Sequence, residues 1–553
     1  MTESQVASSS PAGVHTASGV VLMTLASGQF LMALDSSVMN VSIATVAEDI
    51  GTTVTGIQTA ITLYMLVMAS LMITGGKIGQ ILGRKRAFAI GCVIYGAGSF
   101  TTALAPNLTV LLIGWSLLEG MGAALIMPAT VALVASNFGR SERPRAYGTV
   151  AAFGAIAVAV GPLIGGLMTT YASWRWVFAG EVVVVLVILA LTKHLSDAPP
   201  EAGIRLDLVG TGLSALGLGL IVFGILRAGV WGFVNPKPEA PEWLGFSPVV
   251  WLVLAGGVVL RLFILWEGHR LSTHASVLID PAMLANKLLR GGLTSFFFQY
   301  LLQAGLFFAV PLFLSVALGL SAIQTGLRLL PLSLALLVTA VGVPKFLPTA
   351  SPRTVVRFGF SALFLGITLL AAALELGVGP EVVTLPMLLS GVGIGALASQ
   401  LGSVTVSSVP DEETAEVGGL QNTVTFLGAA IGTALAGAVL VSGLTTSFFE
   451  GIETNPAVPE HLVSSAQVEL AAGVPFIPDD ALSSSLADAG VTGATATAIV
   501  EENEEARLDG LRASLAVLAL LALLALFVSK GIPVRQPGAE GALATEDASA
   551  GVT

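Results

Sequence analysis

The protein has 553 residues, of which 54% are hydrophobic and only 11% are charged, and its net charge is −11. A water-soluble chain carries about 25% charged residues and needs them on its exterior, so a soluble enzyme, a secreted disulfide scaffold and a disordered protein are excluded. The acidic balance also excludes nucleic acid as the default partner, because phosphate binding requires a basic surface. The lipid bilayer is therefore the expected solvent for most of the chain.

Membrane-spanning helices are predicted along most of the sequence. A spanning helix needs roughly 20 apolar residues, because the hydrocarbon layer is ~30 Å thick. We count about fourteen such runs. Their approximate limits are 19–44, 55–78, 87–105, 109–135, 147–171, 176–194, 207–227, 247–265, 291–317, 323–344, 356–376, 382–404, 419–443 and 510–530.

Basic residues in short loops indicate the cytoplasmic side of a membrane protein. Most of them follow the second, fourth, eighth and tenth runs, so these loops and both termini are predicted to be cytoplasmic. They are Lys77, Arg84, Lys85, Arg86, Arg140, Arg143, Arg145, Arg270, Lys287, Arg290, Lys345, Arg353 and Arg357. The acidic segment 444–509 then faces outward, as a solvated linker or a small folded cap. Residues 1–17 and 536–553 are predicted to be disordered tails.

A glycine-rich stretch, GGKIGQILGRKRA at 75–87, follows the second run. Glycines spaced by three and four residues allow two helix ends to approach closely in a tight turn. The order of residues resembles the cytoplasmic signature of the major facilitator superfamily, G-x-L-a-D-r-x-G-r-k. The resemblance implies a gating loop formed by Gly76, Gln80, Gly83, Arg84 and Lys85. The Asp of the signature falls on Gln80, which is a departure from the family pattern.

The fifth run contains a second glycine-rich pattern, GAIAVAVGPLIGGLM at 154–168, with Gly154, Gly161, Pro162, Gly165 and Gly166. Small residues permit close backbone contact, and proline frees a backbone carbonyl that a neighbour must satisfy. A packing seam of the kind found in many membrane proteins is one interpretation. The order G-P-x-x-G-G also resembles the antiporter signature of proton-coupled exporters in the same superfamily, which implies export.

Three acids lie inside apolar runs, where a carboxylate costs about 2.5–3.5 kcal/mol to insert. Asp35 belongs to LDSSVMNV, which resembles the first-span signature of the fourteen-span drug:proton antiporter family. Glu119 takes the Gln position of the fourth-span signature, whose Arg position is Ser116. We predict that Asp35 and Glu119 carry protons and that Glu181 supports them. The alternative is structural carboxylates held by hydroxyl groups such as those of Ser37 and Ser116.

The C-terminal half has few charges, and its ninth run contains FFFQYLLQAGLFF at 296–308. Gln299 and Gln303 share one helix face there, next to Tyr300. Apolar walls with a few polar groups suit a lipophilic ligand, so we assign these three residues, with Asn40 and Arg328, to a substrate cavity. An aromatic, lipid-facing helix is the alternative for the ninth run, and Arg328 alternatively extends to the membrane surface.

The resemblance also implies the domain organisation. A major facilitator fold has two six-helix bundles that rock about a central cavity. Here the bundles correspond to 18–195 and to 285–443 with 510–530, and 206–266 is an inserted helix pair. The segment 444–509 becomes an acidic extracytoplasmic loop of the second bundle.

The sequence contains no Walker A loop, His/Cys metal cluster or catalytic triad pattern, so we predict neither an enzyme nor dependence on ATP or a cofactor. We predict a monomeric plasma-membrane transporter that exports lipophilic or amphipathic compounds in exchange for protons. An exporter of lipids or envelope metabolites remains an alternative. So does a non-transporting scaffold or sensor that binds a partner through 444–509.

Overall fold

The computed structural model describes residues 12–138, 143–197, 205–237, 240–347, 349–409, 414–470 and 473–534. Long helices make up most of these residues. They are α1 Ala12–Asp49, α2 Val54–Leu82, α3 Arg84–Ala103, α4 108–137, α5 Arg143–Tyr171, α6 Arg175–Leu191, α7 Leu208–Trp231, α8 Pro248–Ser272, α9 Lys287–Ala317, α10 Ala322–Phe346, α11 Pro352–Ala373, α12 Thr384–Val406, α13 Thr414–Thr454 and α14 Ala494–Val528. Two short helices, Glu460–Glu469 and Asp479–Asp488, lie between α13 and α14.

The predicted all-helical membrane fold with about fourteen spans is confirmed. Twelve helices of the described chain are long and apolar enough to cross a membrane, and α5 is the thirteenth when its two halves are counted as one bent span. The fourteenth, α3, has a comparable length but begins with three basic residues. The helix α1 begins at Ala12, within the predicted N-terminal tail 1–17. Residues 1–11 and the predicted tail 536–553 lie outside the described residues.

The long helices form two bundles. In the first, α1 packs on α5, and α4 packs on both α2 and α3. In the second, α13 packs on α9 and α14, and α12 packs on α10 and α11. The bundles meet where α2 packs on α13 and where α5 packs on α10. The helices α7 and α8 pack on each other, and α7 lies against α13 and α2. We name the membrane face that carries the α2–α3 junction at Gly83 the basic face, and the one that carries 444–509 the acidic face.

The two bundles touch closely in their halves next to the acidic face. A methyl group added to Gly326 on α10 would lie 2.3 Å from the carbonyl oxygen of Pro162 on α5. One added to Gly166 would lie 2.6 Å from the backbone oxygen of Ala322. Glycine is therefore required at both positions for backbone-to-backbone contact. On the other side of the interface, Gln58 Nε2 donates to the backbone oxygen of Thr433 on α13 at 3.0 Å. The described state is closed on the acidic face.

The segment 444–509 is folded over most of its length. The helices α13 and α14 extend into it, and Val474 and Phe476 between the two short helices are buried. Arg507 is fully buried, donates to the backbone oxygen of Ile477 at 2.6 Å and forms an ion pair with Asp479. This packing favours a small folded cap over a solvated linker.

Candidate functional site

Asp35 on α1, Glu119 on α4 and Glu181 on α6 meet inside the first bundle. Carboxylate oxygens from the three side chains lie within 4.8 Å of one another. Asp35 and Glu119 are 0% exposed and Glu181 is 2% exposed. The sequence predicted each acid separately, and the fold brings all three into one site. Like charges so close together in a buried site repel strongly, so the three groups cannot all be ionised at low cost.

Each carboxylate of this cluster accepts a hydrogen bond from an uncharged side chain. Trp115 Nε1 donates to both oxygens of Asp35 at 2.9 Å, Thr102 Oγ1 donates to Glu119 at 3.1 Å, and Ser99 Oγ donates to Glu181 at 3.1 Å. The ion pairs found among the described residues do not include any of the three acids. The cluster therefore consists of acids and neutral donors.

The hydroxyl groups that the sequence offered as structural partners bind elsewhere. Ser116 Oγ donates to the backbone oxygen of Ala60 at 2.8 Å. Glu119 accepts a hydrogen bond from Thr102 instead. Ser37 and Asn40 likewise donate to backbone oxygens instead of Asp35. Ser116 is therefore not the hydroxyl group that holds Glu119, and Thr102 on α3 takes that place.

Trp115 is the residue that sequence reasoning missed. It lies on a π-helical segment, Leu112–Glu119, whose wider turn is a feature often found at functional sites. Its indole stacks on Tyr64 with ring centroids 5.2 Å apart. Close packing of α3 on this segment depends on Gly98, where an added methyl group would lie 2.6 Å from Glu119 Cγ. A tryptophan at the seventh residue of the predicted run 109–135, two turns inside its end, was the available signal.

Two carboxylate oxygens at the cluster, Glu119 Oε2 and Glu181 Oε1, are buried and have no hydrogen-bond partner among the described residues. The hydroxyl groups of Tyr64 and Tyr95 are buried beside Asp35. Both phenol groups are close enough to the three carboxylates to interact with them electrostatically. An unpaired buried polar group costs about 1–3 kcal/mol. A proton on either glutamate would supply a donor that the unpaired oxygens lack.

A separate small cavity of about 10 Å³, which has room for about one water molecule, lies between the two bundles. It is bounded by helices α1, α5, α9 and α10. Its lining residues are Ser37, Asn40, Val41, Pro162, Phe307, Pro311, Leu329, Leu332 and Ser333. The lining is therefore apolar apart from two hydroxyl groups and one amide. Asn40, one of the residues assigned to the substrate cavity, lines it.

The other residues assigned to the substrate cavity lie elsewhere. On α9, Gln299 is buried, and its Oε1 has no hydrogen-bond partner among the described residues. Tyr300 stacks on Phe296, and Gln303 is half-buried. The residues of α9 that line the cavity lie one and two turns beyond Gln303. Arg328 lines a cleft near the acidic face with Gln324 and Pro380. Periodicity alone could not show which turn of α9 lines the cavity, or how deep in the membrane Arg328 lies.

Comparisons with known proteins identify the family. A model of the Major Facilitator Superfamily matches residues 25–433. The chain belongs to this superfamily. It is 31% identical over 445 residues to the puromycin resistance protein pur8 of Streptomyces alboniger, covering 79% of this chain and 84% of that protein. It is 27% identical over 452 residues to the tetracenomycin C resistance and export protein of Streptomyces glaucescens, covering 78% and 79%.

Solved structures of the superfamily share the fold. An inward-facing, unoccupied bacterial homolog of the human lysosomal transporter Spinster superposes with a TM-score of 0.57 at 15% identity, covering 95% of this chain and 98% of that chain. The prediction of a multidrug-efflux-type member of the Major Facilitator Superfamily is confirmed by these relatives. The chain is a multi-pass membrane transporter and not an enzyme.

The antiporter signature of the superfamily joins α5 to α1. Pro162 cannot donate a backbone hydrogen bond, which frees the carbonyl of Val158, and α5 bends by 43° at this point. Ser37 Oγ on α1 donates to that freed carbonyl at 3.4 Å. An added methyl group at Gly161 would lie 2.5 Å from Ser37 Cβ, and one at Gly165 would lie 3.0 Å from the Val38 backbone.

The two outer glycines of the signature have different neighbours. Gly154 faces Gln29, whose Cγ would lie 3.2 Å from an added methyl group, and Gly166 contacts α10. The bend and its glycines therefore place α1, α5 and α10 in direct contact beside the cavity.

The superfamily's cytoplasmic signature forms a one-residue junction rather than the predicted loop. Gly76 and Gln80 belong to α2, and α3 begins directly after Gly83, whose φ of +95° favours glycine. Arg84 Nη1 donates back to the Gly76 oxygen at 3.2 Å. The amide oxygen of Gln80, which replaces the family's Asp, is buried and has no hydrogen-bond partner in the part of the chain that the structure describes.

An acid from another part of the chain lies at this junction. The backbone nitrogen of Lys85 donates to Asp197 Oδ1 at 2.9 Å, and Lys85 Nζ donates to the Leu195 oxygen at 2.9 Å. Asp197 follows α6, so this contact ties the end of α6 to the first turn of α3. A carboxylate there caps the helix and interacts favourably with its dipole.

We expect Asp197→Ala to destabilise the protein by about 1 kcal/mol, because a free backbone N–H of the first turn of α3 loses its acceptor. The melting temperature of the protein in detergent should fall by about 1 °C in replicate fluorescence-monitored thermal scans. Asp488→Ala, which removes an exposed acid near the acidic face, should leave the melting temperature unchanged. Equal melting of the wild type and Asp197→Ala would contradict a capping role.

Proposed function

We propose that the protein is a proton-coupled exporter of lipophilic or amphipathic compounds in the plasma membrane. The basic face and both termini would be cytoplasmic, and the cap formed by 444–509 would be extracytoplasmic. The superfamily and the relatives named as resistance and export proteins support the efflux direction. The energy would come from the proton gradient, and one transporter chain would suffice for a transport cycle.

The observation that carries the proposal is the buried cluster of Asp35, Glu119 and Glu181. Its partners are neutral donors, so protons are the simplest compensation for the charge of three neighbouring carboxylates. Protonation would also supply a donor to the unpaired oxygens of Glu119 and Glu181. The proposed carriers are Asp35 and Glu119, with Glu181 sharing their protons through the common site.

Proton release would provide the coupling. A fully protonated cluster can remain dry and packed, whereas an ionised carboxylate needs water or a counter-ion. Ionisation would therefore favour a conformation that hydrates the first bundle, and re-protonation would favour the packed state described here. A difference of one pH unit across the membrane corresponds to about 1.4 kcal/mol per proton, which is enough to drive a tenfold concentration gradient of substrate.

The two superfamily signatures would guide the rocking motion. Gly83, Arg84 and Lys85 form a short junction that would hold α2 and α3 together at the cytoplasmic side. The glycine contacts of α5 with α10 would close the opposite side. Alternating access would then require the α5–α10 contact to open while the two bundles close against each other on the basic face.

The deciding experiment is a transport assay in proteoliposomes with an imposed pH step. Two probes, ethidium and N-phenyl-1-naphthylamine, represent lipophilic cations and neutral compounds. We expect flux of at least one probe that requires the pH step, stops on addition of a protonophore, and persists without ATP and without sodium. Flux that ignores the protonophore, or that follows a sodium gradient instead, would contradict proton coupling.

The same proteoliposomes distinguish the two alternative functions, a lipid exporter and a non-transporting scaffold. Absence of probe flux together with transfer of a fluorescent phospholipid would favour a lipid exporter. Absence of both would favour a non-transporting scaffold. Matched vesicles without protein provide the background in each case.

A further inference from the structure

We propose that Trp115 is a positioning residue of the proton site, and that its indole makes Asp35 the first acid of the cluster to release a proton. This inference rests on the proposed function, because it assigns an order to the proton steps of that function. Glu119 and Glu181 keep their protons after Asp35 has become ionised. The three acids differ in the kind of hydrogen-bond partner that each one has.

The partner of Asp35 favours its ionised form. Trp115 Nε1 lies 2.9 Å from both carboxylate oxygens of Asp35, and both residues are buried. An indole N–H can donate a hydrogen bond but cannot accept one. A carboxylate presents an acceptor on each oxygen, whereas a protonated carboxyl group presents a donor on one of them. The indole therefore stabilises the ionised form of Asp35 more than the protonated form.

The partners of the two glutamates are hydroxyl groups, which also suit a protonated carboxyl group. The Thr102 hydroxyl lies 3.1 Å from Glu119 Oε1 and 2.9 Å from a backbone oxygen four residues earlier in α3. The Ser99 hydroxyl lies 3.1 Å from Glu181 Oε2 and 3.2 Å from the corresponding backbone oxygen. A hydroxyl group has one hydrogen, so when it donates to the backbone its own oxygen can accept from a protonated glutamate.

The described chain contains two further pairs in which an indole N–H donates to an aspartate, and in both an arginine binds the same aspartate oxygen. They are Trp174–Asp49 with Arg175, and Trp266–Asp207 with Arg270. A guanidinium beside a carboxylate holds it ionised. Asp35 has the indole but no arginine among the described ion pairs. The indole of Trp115 can therefore fix the position of Asp35 while its proton remains exchangeable.

Four titratable groups face Asp35, and none of them is a base. Glu119 and Glu181 approach from α4 and α6, and the phenol groups of Tyr64 and Tyr95 are buried beside it. The other titratable side chains on the segments packed against α1 form no described hydrogen bond or ion pair with Asp35. They are Lys77, Arg143, Arg145, Tyr147, Tyr171, Arg175, Lys193, His194, Lys287, Arg290, Tyr300, Arg328 and Lys345.

The test compares Trp115→Phe with the wild type by infrared spectroscopy of full-length protein in dodecyl maltoside. A phenyl ring can still stack on Tyr64, but it has no N–H for Asp35. The C=O band of protonated carboxyl groups is followed as the pH is raised, and the part that Asp35→Asn removes in each background is assigned to Asp35. Its midpoint should move to higher pH by about one unit in Trp115→Phe, a tenfold change in proton affinity.

The order of proton release is measured in the wild type with the same band. The part assigned to Asp35 should disappear at lower pH than the parts that Glu119→Gln and Glu181→Gln remove. The reverse order would overturn the proposal.

The matched control is Trp174→Phe. It removes a buried indole N–H that binds an aspartate outside the cluster, and Arg175 remains bound to Asp49. The midpoint of the Asp35 band should stay at its wild-type value. An equal shift in both phenylalanine variants, or an unchanged midpoint in Trp115→Phe, would overturn the positioning role.

Trp115→Arg decides the question if Trp115→Phe does not fold. A guanidinium at this position should pair with Asp35 as Arg270 does with Asp207. The Asp35 band should then be absent across the measured pH range, and gradient-driven efflux should fall to background. A band that persists with the wild-type midpoint would overturn the proposal.

Transport provides the second readout, at a constant pH step and varied mean pH. The pH of maximal efflux should rise in Trp115→Phe by the same amount as the infrared midpoint. An infrared shift in a protein that shows no gradient-driven efflux would contradict the proposed function alone. Normal gradient-driven efflux with an unshifted midpoint in Trp115→Phe would contradict this inference alone, so the two failures are distinguishable.

Discussion

Asp35→Asn and Glu119→Gln should each reduce pH-gradient-driven efflux from proteoliposomes to the level of vesicles without protein. Each substitution removes one titratable group from the cluster but retains the shape of the side chain and an oxygen acceptor for Trp115 or Thr102. A cluster that cannot release its proton has no gradient-dependent step. Exchange of labelled for unlabelled probe at equal pH on both sides should persist, because it does not require net proton movement.

The matched control is Glu267→Gln. Glu267 on α8 is also fully buried, and its Oε2 accepts a hydrogen bond from the Leu278 backbone at 2.8 Å, but it lies outside the cluster. Gradient-driven efflux should remain near the wild-type rate in this variant. Wild-type efflux in both Asp35→Asn and Glu119→Gln would refute the assignment of the carriers. Loss of equal-pH exchange in both would indicate a structural role instead.

The fourth-span signature of the family has an Arg that this chain lacks, and its absence helps to explain the cluster. Ser116 occupies that position and binds the backbone of α2 through the Ala60 oxygen. A guanidinium among these acids would hold them ionised by forming an ion pair. Without it, the first bundle retains three neighbouring acids that have no basic partner in the ion pairs of the described residues. The departure of the sequence from the family signature is thus consistent with a cluster that titrates as a unit.

The helical fold was predictable from the sequence because each span is a continuous apolar run, and a helix is the structure that satisfies its own backbone in lipid. The convergence of Asp35, Glu119 and Glu181 was not predictable, since it depends on how α1, α4 and α6 pack. Hydropathy identifies each acid as costly but does not show which way it points. The same limit applies to Arg328, which was assigned to the substrate cavity but lines a different cleft.

Local signatures predicted contacts within a helix pair better than contacts between distant segments. The glycines of α5 were expected to allow close packing, and they do so against α1 and α10. No local pattern indicated that Asp197 would lie at the junction of α2 and α3, because the contact joins residues 112 positions apart. Trp115 was overlooked because an indole in an apolar run resembles ordinary core packing.

A disulfide between α5 and α10 should lock the acidic face closed and stop transport. The backbone nitrogen of Ile323 donates to Thr170 Oγ1 at 3.1 Å, so cysteines at positions 170 and 323 would be close neighbours in the described state. The protein has one native cysteine, Cys92, which is buried, so Thr170→Cys and Ile323→Cys can be combined in a Cys92→Ala background. Oxidation should abolish gradient-driven efflux, and reduction should restore it.

Each single-cysteine variant in the same background is the control, and oxidation should not change its rate. The cross-link itself is measured by the change in mobility after cleavage at a protease site introduced between α7 and α8. Full efflux from completely cross-linked protein would show that α5 and α10 need not separate during transport. Because glycine contacts hold these two helices backbone to backbone, opening of the acidic face requires that they part, and a covalent bond at Thr170 and Ile323 prevents it.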